Sequence, residues 1–152
     1  MASRWQNAKP RHSLLSSHVL REPSQVPATA RRVISVGAYD ARQNTYADFS
    51  AAAVVPSPIQ NPTLSLPGVD IYAPRSGGGY ASFTGTSFST PFVTGAAALL
   101  MDGESPAERS LPLWRKTKSY LRRGAKALQG SEKLPNDLIG WGRLCLESSL
   151  PE

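Results

Sequence analysis

Gly85-Thr86-Ser87 is the one place in this chain where residue types and spacing suggest covalent chemistry. A serine hydroxyl is a poor nucleophile unless it is held at a fixed, exposed position and a base removes its proton. A glycine just before it permits a sharp turn. An apolar helix just after it points backbone N–H groups and a positive dipole end at the hydroxyl. The N–H of Ser87 itself could then hold the oxyanion of a tetrahedral intermediate. Acyl transfer is the chemistry such a seat supports. The same three residues also suit a plain helix N-cap, a common role for serine. On these three residues alone the cap is the better reading.

The elements around them come next. Residues 88–101 are apolar on nearly all sides, with small residues at Gly95, Ala96, Ala97 and Ala98. That pattern predicts a helix buried all round, its small face closely approached. Pro91 is expected near its first turn, where a missing N–H costs least. Upstream, Arg32 to Gly37 reads as a strand of a parallel sheet, and Val69 to Tyr72 as a second strand stopped by Ala73-Pro74. Asp40 to Ser50 reads as a polar connection and residues 51–67, with four prolines, as a loop. Gly77-Gly78-Gly79 is a turn before an extended piece at Tyr80 to Phe83. A second helix is expected over Leu111 to Arg123, burying Trp114, Thr117 and Leu121 and ended by Gly124. Ile139 to Leu144 reads as a short closing strand. Cys145 reads as a small buried hydrophobe.

The bulk properties bound the function. One domain fits 152 residues. The positive charge is concentrated before Glu22 and over Arg115 to Lys126, each with a single interleaved aromatic (Trp5, Tyr120) rather than a series of base-stacking platforms, so nucleic acid is not expected as a partner. A single cysteine excludes an internal disulfide. No apolar run reaches membrane-spanning length and no signal-peptide core is visible, which leaves the cytoplasm as the default location. Residues 1–25 form an unassigned basic arm.

The string Gly85-Thr86-Ser87-x-x-x-Pro91-x-Val93-x-Gly95 resembles the nucleophile signature of the subtilases, the subtilisin-like serine proteases of peptidase S8 type. At roughly 5–7% usage per residue type, six fixed positions coincide by chance about once in ten million starts. The flanks agree. Arg32 to Gly37 with Ala38 resembles V-x-x-V-G-A, and Ala47 to Ser50 resembles the F-S element. Leu66 to Ile71 resembles A-P-G-x-x-I, with Leu66 in place of alanine. Gly140 to Leu144 resembles the closing G-x-G-x-hydrophobic segment. The likeness covers residues 26–152, as the C-terminal part of a catalytic domain. By contrast, position 89 is serine, not the glycine of G-x-S-x-G, and no Ser-x-x-Lys follows Ser87.

This resemblance implies an α/β fold, a partial three-layer subtilisin-like arrangement. It would contain the end of a mainly parallel sheet, a buried serine-bearing helix and a C-terminal amphipathic helix. It implies peptide-bond hydrolysis of a peptide or protein substrate, with Ser87 as nucleophile and oxyanion donor and with Gly85, Thr86 and Pro91 shaping the motif. The family's triad runs Asp, His, Ser along the chain. Here neither His12 nor His18 is followed by glycine, and the oxyanion asparagine has no counterpart. Asp40, Asp48 and Asp70 read as loop acids. The expectation is a truncated chain whose Asp and His come from a complementing chain, or else an inactive pseudoprotease serving as an interaction or regulatory module. No cofactor is evident; calcium is implied by the resemblance only.

Overall fold

The computed structural model describes residues 27–52, 62–102, 112–131 and 133–150. The basic arm, His12, His18 and Leu111 lie outside them. The fold is mixed α/β. Strand β1 (Val36–Asp40) lies between β2 (Thr45–Tyr46) and β3 (Leu64–Pro67). β1 and β3 run parallel, Val36 opposite Leu64 and Tyr39 opposite Pro67, while β2 is antiparallel at Tyr39 and Asp40. A separate hairpin joins β4 (Ile71–Pro74) to β5 (Tyr80–Phe83) and leads into helix α1 (Thr86–Asp102). Helices α2 (Leu113–Arg123) and α3 (Leu146–Ser149) follow. No helix among the described residues is long and apolar enough to cross a membrane.

The core explains why the pieces stay together. Leu64 and Leu66, two apart on β3, share one face of the strand. They pack on Val93, Ala96 and Leu100, spaced three and seven along α1, and on Leu121 of α2. Burial of each large aliphatic side chain stabilises by about 1.5–3 kcal/mol.

Several expectations need correcting. The first strand starts at Val36 rather than Arg32, because upstream polar groups are otherwise engaged. Val33 O accepts from Lys118 Nζ at 2.6 Å. Ser35 instead pairs with Thr63 through backbone and hydroxyl. The proline-rich loop hides β3, whose leucines the core recruits. The polar connection contains β2. The second strand begins at Ile71, since Asp70 takes a positive φ of 53° and donates its N–H to Thr84 Oγ1, and it is not stopped by Ala73-Pro74, which pair with Ala81 and Tyr80 of β5. The closing segment forms single bridges at Arg143, to Ser65 and to Lys126, rather than a strand.

Helix α1 is not buried all round. Ser89, Val93, Ala96 and Leu100 are buried, whereas Phe92 is 46%, Leu99 57% and Met101 37% exposed. A Cβ at Gly95 would meet nothing within 4 Å. Pro91 is the sixth helical residue, in the second turn, so the Ser87 carbonyl lacks the i+4 donor it would otherwise have. On α2, Lys118 is buried beside Thr117 and Leu121. Gly124 ends α2 with an ordinary φ of −82°, not a left-handed cap. Glycine fits there because a Cβ would overlap Ser149 Oγ and the backbone of Ser148 and Ser149. Cys145 is half-exposed rather than buried; its Sγ lies 3.3 Å from Ser148 Oγ, and this contact draws the thiol below its ordinary pKa.

Candidate active site

The end of β3 and the start of α1 are built as one unit. Gly68 follows β3, donates its N–H to Tyr39 O at 3.1 Å, and accepts from Gly85 N at 2.8 Å. A Cβ at Gly68 would stand 2.5 Å from Ser89 Oγ, 2.7 Å from Ala38 Cβ and 3.2 Å from Gly85 O, so only glycine fits without displacement. Gly85 itself has φ 154°, a conformation side-chain-bearing residues rarely adopt. Its carbonyl accepts from Phe88 N at 3.1 Å, closing the turn that opens the helix.

Ser87 is the second residue of α1 and is exposed. A helix's first turn has N–H groups without intrahelical acceptors, so the backbone N–H of Ser87 is of that kind. Thr86 and Gly85 flank it at half-buried positions. Beside it, Phe83 and Phe88 stack with ring centroids 4.9 Å apart and planes 11° from parallel. This pair links the last residue of β5 to the residue after Ser87.

Ser89 is the residue the sequence reading missed. Its hydroxyl is fully buried and donates toward Pro67 O at 3.0 Å and Leu66 O at 3.3 Å. It ties the first turn of α1 to the last residues of β3 and thereby fixes where Ser87 stands. A hydroxyl-bearing residue two positions after the serine, on the opposite side of the helix, was the available signal.

The expected loop acids are placed as follows. Asp40 accepts from the N–H groups of Arg42 and Gln43, and Asp70 pairs with Arg42 at 2.7 Å on the surface. Among the described residues no group of three or more His, Cys, Asp or Glu side chains is placed to hold a metal ion.

The sequence model of the subtilase family matches residues 8–142. Subtilisin amylosacchariticus of Bacillus subtilis subsp. amylosacchariticus is 37% identical over 86 residues, 57% of this chain and 20% of that protein. Alkaline elastase YaB of Bacillus sp. (strain YaB) is 37% identical over 76 residues, 49% of this chain and 18% of that protein. Among solved structures, the Clostridium perfringens CspB protease superposes with a TM-score of 0.73 at 34% identity, covering 82% of this chain and 27% of that one. The patellamide maturation protease PatA gives 0.62 at 30%, covering 82% and 44%. The chain thus spans about a fifth of the curated relatives it matches.

Proposed function

Because the chain belongs to the subtilase family, we propose that it contributes the nucleophile to serine-type endopeptidase hydrolysis of a peptide or protein substrate. The observation that carries this reading is the exposed Ser87 in the first turn of α1, locked from beneath by Ser89. In the proposed reaction Ser87 Oγ bonds to the substrate carbonyl carbon, and its proton passes to a histidine. The histidine and its aspartate are supplied from outside the described residues, by a segment upstream in the family's Asp, His, Ser order or by a complementing polypeptide. The Ser87 N–H donates to the oxyanion. Collapse breaks the C–N bond, the leaving amine takes the proton, and water hydrolyses the acyl-serine.

The test is covalent labelling by a fluorophosphonate probe, with and without an upstream segment of a subtilase carrying its Asp and His. Labelling at Ser87 that requires that segment, together with peptide hydrolysis, supports the reading. No labelling in its presence would favour an inactive interaction module. Prompt stoichiometric labelling of the chain alone would place a base within the chain, with His12 and His18 the first to replace.

A further inference from the structure

Three segments remote in sequence line a cavity of about 740 Å³: the stretch before β1, helix α2 and the closing segment. Arg31, Arg115, Lys118, Arg122 and Arg123 contribute five cations to its wall, and no acidic side chain among the described residues lines it. The guanidinium of Arg115 lies 5.5 Å from the ring centroid of Trp114, and that of Arg122 lies 5.3 Å from that of Trp141. Such contacts hold a guanidinium plane in one orientation, leaving its edge as a pre-set fork for an oxyanion. Two buried donors of the second pair, Arg122 Nε and Trp141 Nε1, lack an acceptor among the described residues. Buried polar groups are normally satisfied.

We propose that this cavity is a binding site for an acidic peptide segment. Charge complementarity selects an anion, and the rest of the argument selects its kind. A single phosphate would engage only part of so large a wall, whereas successive carboxylates on an extended chain reach several of its cations. Bases of a single-stranded nucleic acid need free aromatic faces, and here guanidiniums occupy one face of each tryptophan. The like charges are already in tension: burial, and then the charge of Arg122, draw the Lys118 amine below its ordinary pKa. An incoming carboxylate relieves that tension. The site is independent of any role for Ser87.

The test is to titrate the full chain, in the assembly in which it purifies, with hexaglutamate, following tryptophan fluorescence. Inorganic phosphate and an oligothymidylate of equal charge run in parallel. Saturable hexaglutamate binding that weakens with salt is expected, tighter than that of either competitor. Arg115 is exposed, so Arg115→Gln is expected to leave the fold intact and lower the affinity by about tenfold. Arg42→Gln, elsewhere on the surface, is expected to leave it unchanged. Absence of saturable binding, equal losses in the two variants, or preference for phosphate or the oligothymidylate would overturn the proposal.

Discussion

Lys118 carries its charge into a place that resists it, and the consequence is a pH dependence opposite to that of a lysine gaining a partner. Burial, then repulsion from Arg122, depress its folded pKa below the ordinary 10.5. Below the folded value the amine is protonated in both states. Between that value and about 10.5 the unfolded chain keeps a proton that the folded chain has shed, so stability rises with pH across this window and levels above it. Other groups titrate there too. Urea melts of the parent and Lys118→Met should therefore be compared, and the rise attributable to Lys118 should be missing from the variant. Ser87 makes a different prediction. In a complemented, active assembly Ser87→Ala should lower kcat by several orders of magnitude, as removal of a triad member does. Near-full activity in that variant would end its candidacy. These two residues also differ in legibility. Ser87 stands in a local string, Gly85 to Gly95, that can be read from residue types alone. Lys118 owes its burial to the Val33 carbonyl, 85 positions away, and no local pattern carries that.

At the scale of elements, the joint between β3 and α1 should be the most sensitive point near the serine. Gly68→Ala would press a methyl against Ser89 Oγ and Ala38 Cβ, an overpacking expected to cost about 1–3 kcal/mol. Ser89→Ala removes a buried bond to Pro67 O, expected to cost about 1 kcal/mol. Denaturant unfolding of both variants checks the values, and any labelling of Ser87 in the complemented assembly should slow in parallel. Helices α1 and α2 and the turn between β4 and β5 were legible because their signals are local, Gly85 starting α1, Gly124 ending α2 and Gly77 to Gly79 making the turn, whereas the short α3 was not expected. Strand β3 was not. Its four residues follow Pro62 and end in Pro67, and only the apolar faces of α1 and α2 make Leu64 and Leu66 a strand. The start of β1 was overextended for a related reason, since β-branched Val33 and Ile34 look like strand but the Val33 carbonyl accepts from Lys118 and Ser35 bonds to Thr63.

The whole molecule leaves Phe92 and Leu99 uncovered on one side of α1 and Met101 uncovered on another. Net domain stability is only about 5–15 kcal/mol, so a few missing aliphatic contacts weigh heavily. The monomeric chain is expected to bind an apolar dye and to unfold with an m-value below the norm for its length. Phe92→Ser should reduce the dye signal. A steep cooperative transition without dye binding would show a self-sufficient domain. Gly95, on the same helix, then becomes an indicator of closure. With its Cβ position open, Gly95→Ala should stabilise the solitary chain by about 1 kcal/mol through helix propensity alone. Once another polypeptide lies against that side, the added methyl has to be accommodated in the seam. One substitution would thus strengthen the chain when alone and weaken it when joined, and the change of sign would report that the seam has formed.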